Sequence, residues 1–170
     1  EKGFFPAKPS DQPEWVKEVG FGRQSVAITL ENCYDDWCMS ILAKELNKEE
    51  DYQYYLKRAL NYQNVFDTAT GFMRPKTADG RWIEPFDPIW SGGQGRREFY
   101  TENNGWNYTW YVPHDVEGLI GLMGGREKFT DKLQTMFETN VPLYQKYDFL
   151  KQYPDMTGWI GMYSHGNEIT

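Results

Sequence analysis

From Gln24 onward the apolar positions recur at three- and four-residue steps: Val26, Leu30, Tyr34, Trp37, Cys38, Ile41, Leu42 and Leu46. An α-helix turns once in about 3.6 residues, so this spacing predicts one helix with a single apolar stripe. Asn47 is the expected stop. A second helix is expected over about residues 49–65, where Tyr52, Tyr55, Leu56, Ala59, Leu60 and Phe66 repeat the step. The charged connection from Lys48 to Asp51 is short, which predicts an antiparallel helical hairpin. Ahead of it, Pro6, Pro9, Pro13, Gly20 and Gly22 interrupt any period, so residues 1–22 read as an extended opening segment.

The pattern changes at residue 67. Asp67 to Gly71 is a turn cluster, and Phe72-Met73-Arg74 and Arg81-Trp82-Ile83 read as two short strands joined across Asp79-Gly80. Pro85, Pro88 and the glycines at 92, 93 and 95 then make a long irregular loop bearing Trp82, Glu84, Asp87 and Trp90. Loops of that length in a compact domain are commonly functional. A third helix is expected over about 104–123, broken at Pro113, which has no amide hydrogen to continue the ladder. Gly124-Gly125 should end it, and a further helix should run from Glu127 to Phe137. Residues 138–158 read as irregular. The predicted fold class is therefore mainly α, built of helix pairs with long loops and a short β-hairpin.

Composition narrows the chemistry. The chain has 170 residues and a net charge of −7, enough length for one domain with a core and no basic stripe to meet a phosphate backbone. That argues against a nucleic-acid partner. No apolar run approaches the length of a membrane span, and no signal-like segment opens the chain. The opening Glu1-Lys2-Gly3 looks like a cut inside a longer protein. Aromatic residues make up 17% of the chain, which fits either a large aromatic core or a sugar-binding surface, because Trp and Tyr join an apolar face to a polar tip. The two cysteines, Cys33 and Cys38, point to different helical faces and are expected to be buried thiols without a local disulfide.

The densest chemistry lies between Thr101 and Asp115. Glu102 opens this stretch, and Asn103, Asn104, Trp106, Asn107, Tyr108, Trp110 and Tyr111 follow before His114 and Asp115. Rings can cover the apolar faces of a sugar while carboxylate and amide groups take its hydroxyls. A carboxylic acid in such a setting can protonate a leaving glycosidic oxygen if its pKa is raised. The alternative for Glu102 is a helix-terminal carboxylate facing free amides.

Several segments occur together in a fixed order: Tyr34-Asp35-Asp36-Trp37, Gly71-Phe72-Met73-Arg74, Glu84-Pro85-Phe86-Asp87-Pro88, the block from Glu102 to Asp115, and His165-Gly166-Asn167-Glu168. In this arrangement the chain resembles the catalytic domain of glycoside hydrolase family 92, the calcium-dependent exo-acting α-mannosidases, from about residue 20 to 168. Asn103, Gly105 and Asn107 depart from the family pattern of Gly, Ala and Gln at those places. The resemblance implies a single segment, residues 1–170, of an (α/α)6 toroid acting with inversion on terminal, α-1,2-linked mannose of glycans. It implies a secreted or periplasmic bacterial protein. Inversion needs two carboxyl groups with room for a water between them. By the resemblance Glu102 is the general acid, while the base belongs to a Gly-Asn-Asp motif that these 170 residues do not contain, so the chain alone is expected to be inactive.

The remaining candidates carry paired readings. Asp36 and Trp37 bind sugar hydroxyls and ring faces, or Asp36 is a carboxylate held at a helix-packing edge. Glu84 lines the pocket or bonds within its loop, and Asn104, Trp106 and His165 are expected to contact mannose. Asn167 and Glu168 offer the oxygen donors that Ca2+ prefers, with a polar turn as the alternative. Asp115 is better explained as the N-cap of the helix after Pro113, with His114 a packed neighbour. Two rival functions stay open: a non-catalytic mannose-binding module, and a structural piece of a toroid whose exposed helix faces self-associate.

Overall fold

The computed structural model describes residues 2–9, 15–16, 21–89, 99–101, 103–142, 152–155 and 157–159. Helix α1 runs from Ser25 to Glu45 and α2 from Glu49 to Ala59, packed together as the expected hairpin. Asn47 ends the first of them at φ 55°, a left-handed position that asparagine tolerates better than most residues. Glu49, Glu50 and Asp51 fill the first turn of α2, with Lys57 and Arg58 in its last, each complementing the helix dipole. The second helix stops six residues short of expectation. A 3-10 segment, Leu60–Val65, tightens the chain and buries Tyr62 and Val65.

The buried face of α1 differs from the predicted stripe. Val26 and Leu30 are buried, but Ile41, Leu42 and Leu46 are exposed. Burial instead follows Thr29, Cys33, Asp36, Ser40 and Ala43. This second line also steps by three and four, and its small side chains let α2 approach closely. Cys33 is accordingly buried, whereas Cys38 is exposed, correcting the expectation of two buried thiols. Neither forms a disulfide.

Three small antiparallel pairs accompany the helices: β1 (Trp15–Val16) with β2 (Phe21–Gly22), β3 (Phe66–Asp67) with β4 (Phe72–Met73), and β5 (Asn140–Pro142) with β6 (Thr157–Trp159). The first pair lies in the segment expected to be extended and the last in the stretch expected to be irregular. The hairpin at β4 pairs backward, not forward to residues 81–83. Asp67 decides this by accepting from the Ala69 N–H and the Thr70 hydroxyl, while Gly71, at φ +72°, turns the chain. The turn at Asp79-Gly80 forms as well, with a bridge of Lys76 to Trp82 flanked by hydrogen bonds from Thr77 N–H to the Arg81 carbonyl at 2.9 Å and from Ile83 N–H to the Pro75 carbonyl at 3.0 Å.

The expected third helix is much shorter: α3 spans Gly105–Tyr108. After Pro113, α4 runs Val116–Met123, capped at its start by Asp115 and closed by Gly124 at φ +89°. Helix α5 covers Arg126–Glu138, close to the predicted bounds. The main core joins Val26, Leu30 and Cys33 of α1 to Tyr62, Met73, Tyr100 and Val112. A second cluster of Phe72, Trp106 and Met136 seats α5 against β4 and α3.

Candidate functional site

The segments flanking Glu102 are tied down on both sides. Before it, the Phe99 carbonyl accepts from Val26 and Ala27 N–H at the start of α1, at 3.0 and 3.2 Å. The Tyr100 hydroxyl donates to the Met73 carbonyl at 2.6 Å, and the Thr101 hydroxyl donates to Gln24 at 3.0 Å. Tyr100 is buried, which pushes its hydroxyl pKa far up and keeps it a neutral donor. After Glu102, Asn104 is fully buried and caps α3, its side-chain oxygen accepting from Asn107 N–H at 3.1 Å. Glu102 itself lies outside the described residues, as do Trp90, His165, Asn167 and Glu168.

Trp106 stands edge-on to Phe72, with centroids 4.8 Å apart, and Phe72 meets Phe86 in the same way at 6.0 Å. The indole N–H of Trp106 and the side-chain N–H2 of Asn104 are both buried, without a hydrogen-bond partner among the described residues. Buried donors of that kind are uncommon, since each costs about 1–3 kcal/mol when unpaired. From α5, Lys132 places its ammonium 3.3 Å from the Phe72 centroid and 4.5 Å from that of Trp106. Burial lowers the Lys132 pKa to about 8.

Glu84 joins this group through Arg74. The guanidinium of Arg74 donates to Asp67 at 2.8 Å, to Glu84 at 2.6 Å and to the Ile83 carbonyl at 2.9 Å. It also lies 4.5 Å from the Phe86 ring centroid. Burial disfavours the charge of Asp67, but Arg74, Ala69 N–H and the Thr70 hydroxyl together outweigh it and hold that carboxyl below its usual range. Glu84 is much more exposed than its partner, with 69% of its side chain accessible against 5% for Arg74. It can thus clamp the loop while one face stays open to solvent.

Asp36 and Trp37 sit in different surroundings. Asp36 accepts from Arg58 of α2 at 3.0 Å and borders a cavity of ≈ 460 Å³ walled by the opening segment, α1 and α2. That ion pair ties α1 to α2. Trp37 stacks on Tyr34 at 5.9 Å and lies 6.4 Å from the His114 ring. His114 in turn contacts the Ala59 carbonyl at 2.9 Å, and its other ring nitrogen is buried without a partner among the described residues. Asp115 accepts from Gly118 N–H at 3.0 Å and from the Tyr62 hydroxyl at 2.7 Å, which bears out the N-cap reading. Among the described contacts the candidates thus form two groups, one around Arg74, Phe72 and Trp106, the other around Trp37 and His114.

Sequence reasoning missed Lys132 altogether. A lone lysine on a helix gives no local signal, although its step from Phe129 and to Met136 places it on the apolar side of α5. It also missed Arg74 as the hub of the loop. Among the described residues no group of three His, Cys, Asp or Glu could hold a metal ion. No helix among them is long and apolar enough to cross a membrane.

This mainly helical arrangement, with a carboxylate-bearing aromatic block between pinned segments, matches a known class. The glycosyl hydrolase family 92 catalytic domain model matches residues 1–170, and the chain belongs to that family. It is 37% identical to a family GH92 α-mannosidase from Bacteroides thetaiotaomicron whose structure is solved in complex with mannoimidazole, with a TM-score of 0.71 over 84% of this chain and 17% of that one. It is 36% identical to a family GH92 inverting mannosidase from the same organism, with a TM-score of 0.65 over 79% of this chain and 16% of that one. A curated relative from Arthroderma benhamiae, described as an uncharacterized secreted glycosidase, is 32% identical over 161 residues, or 82% of this chain. The chain spans 20% of that relative's length.

Proposed function

We propose that this chain is a segment of an (α/α)6 catalytic domain in an exo-acting, inverting, calcium-dependent α-mannosidase. The observation that carries the reading is the 37% identity and TM-score of 0.71 to a mannosidase solved with mannoimidazole. The substrate is a terminal mannose of a glycan, α-1,2-linked, and the protein works outside the cytoplasm, in keeping with a secreted relative.

In this reading Glu102 is the general acid. Trp106 and Asn104 hold the sugar with His165. Glu84 contributes from the loop that Arg74 fixes. Asp36 and Trp37 act on the sugar less directly, because Asp36 is engaged by Arg58. Asn167 and Glu168 have the hard oxygen donors that suit Ca2+, which would polarise sugar hydroxyls when bound. Two such side chains make an incomplete set, so these residues alone bind the ion weakly or not at all. The 170 residues hold no Gly-Asn-Asp motif for the base and are inactive by themselves. Exposed Met39, Ile41 and Leu42 on α1, with Leu46 just after it, give the isolated chain an apolar patch for self-association.

Replacing Glu102 by Gln in a complete family 92 protein carrying this sequence tests the assignment. An acid loses most of its contribution on that change, a drop of about 10²–10⁴ in kcat on α-1,2-mannobiose. The first product seen by proton NMR should be β-mannose. Wild-type turnover in the Gln variant, or α-mannose as the first product, would overturn the reading.

A further inference from the structure

The ammonium of Lys132 has an unusual environment. It lies 3.3 Å from the Phe72 centroid and 4.5 Å from the Trp106 centroid, and its terminal nitrogen is 3.5 Å from where a Cβ on Gly71 would stand. No ion pair involving Lys132 is present among the described residues. Among the described residues the rings are therefore the principal groups facing its charge. Ring faces attract a cation through their quadrupole, and the attraction strengthens when water is excluded.

The same contact restrains the rings. Trp106 belongs to the four-residue α3, which is too short to hold its side chain by helix packing alone. Its neighbours are Phe72 from β4 and Lys132 from α5, while Met136 and Leu133 of α5 close the cluster. Trp110 adds a second tie, its indole N–H pointing at the Met136 sulfur at 3.0 Å and its ring meeting Phe129 at 5.1 Å. Helix α5 is thus the wall behind the aromatic block, and Lys132 is its charged member on that wall.

We propose that Lys132 is a positioning residue of the sugar site, its ammonium holding the Trp106 indole in the pose that receives mannose. The role rests on reading Trp106 as part of that site. It depends on charge, because a neutral amine keeps the packing of the alkyl stem but loses the attraction to the ring.

Among the described residues, the titratable groups on the packed elements are engaged elsewhere or exposed. Asp67 of β3 is engaged by Arg74, Ala69 and Thr70, and Tyr108 of α3 donates to Glu31. Lys128 and Asp131 of α5 are exposed, and β5 brings no ionisable residue. Burial is the one cause of the lowered Lys132 pKa, about 8, so its charge is lost within an accessible pH range.

Tryptophan emission of the purified chain, followed from pH 6 to 10, should show a step near pH 8 that is absent from W106F and K132M. In K132R the step should vanish because the guanidinium stays charged throughout. No step in the wild type, or the same step in W106F or K132M, overturns the proposal. In a complete family 92 protein carrying this sequence, K132M should weaken mannoimidazole binding about three- to tenfold by calorimetry, with K132R restoring most of it. If W106F weakens binding and K132M does not, Lys132 is not a positioning residue. If W106F binds like the wild type, the assignment of Trp106 to the sugar site fails, and the role of Lys132 falls with it.

Discussion

Asp115 carries two jobs whose energies can be separated. Its carboxylate caps α4 by accepting from Gly118 N–H at 3.0 Å and accepts from the Tyr62 hydroxyl at 2.7 Å. Tyr62 is fully buried, and burial raises its pKa well above the usual phenol range, so it remains a donor that needs an acceptor. Asp115→Ala removes the cap, worth about 1 kcal/mol, and strands the hydroxyl, worth about 1–3 kcal/mol. The sum, about 2–4 kcal/mol, is a large share of the roughly 5–15 kcal/mol that holds a typical domain together. In a Tyr62→Phe background only the cap is lost, so the same substitution should cost about 1 kcal/mol. The difference, about 1–3 kcal/mol, is the coupling between the two side chains. Asp115→Asn keeps the cap through its one oxygen but sets an amide N–H2 against the Tyr62 hydroxyl, so it should cost about 1–3 kcal/mol, less than Asp115→Ala. Urea unfolding of the five proteins gives all these values if the slope is unchanged. Equal costs for Asp115→Ala in both backgrounds would refute the shared-acceptor argument. Gly118 offers an independent check: a Cβ there would lie 2.2 Å from the Asp115 carboxylate and 2.3 Å from the Tyr62 hydroxyl. Gly118→Ala should therefore break the same node.

The other expectations concern charge and exposure. Asp67→Asn weakens the pairing of Arg74, whose side chain is 5% exposed, and should cost about 3 kcal/mol at neutral pH by denaturant titration. Because the folded pKa of Asp67 is lowered, its contribution is present above pH about 4 and fades as pH falls through the folded value, so the variant should show a flatter acid limb. For Lys132 the sign is reversed: the fold disfavours its charge, fully so below about pH 8, and that penalty fades as pH rises toward 10.5. Wild-type stability should therefore gain on that of Lys132→Met over this range by about 1–2 kcal/mol, allowing for partial exposure, and parallel melting curves would contradict it. In the native protein Cys38 should react with iodoacetamide well before Cys33, which is buried with its thiol pKa pushed up to about 12; mass spectrometry after limited labelling distinguishes them.

Much of the layout was readable from local patterns, and the exceptions have definite causes. The hairpin of α1 and α2, the stop at Asn47, the Asp115 cap and the Gly124 terminus follow from propensity and capping, which act over a few residues. The buried face of α1 did not, because two lines on that helix both step by three and four. Ile41 and Leu42 are apolar but point away from α2, and the small residues Ser40 and Ala43 take the contact. The strand partner of Phe72 was misjudged because the tight turn from Asp67 to Gly71 pairs it backward, while the turn at Asp79-Gly80 brings residues 75–77, not 72–74, against 81–83. Residues 104–112 looked helical, yet α3 ends at Tyr108.

At the candidate site, the sequence by itself determined the chemistry available: Glu102 in an aromatic and amide block, the ordered segments that mark the family, and the cap at Asp115. Only the tertiary structure decided which distant groups meet. It set Arg74 between Asp67 and Glu84, paired Asp36 with Arg58, stranded the N–H of Trp106, and brought Lys132 from α5 to that indole. The reason is one of range. Helix period, turn and cap are fixed by neighbours along the chain, whereas burial and charge environment depend on residues dozens of positions away that only packing brings together.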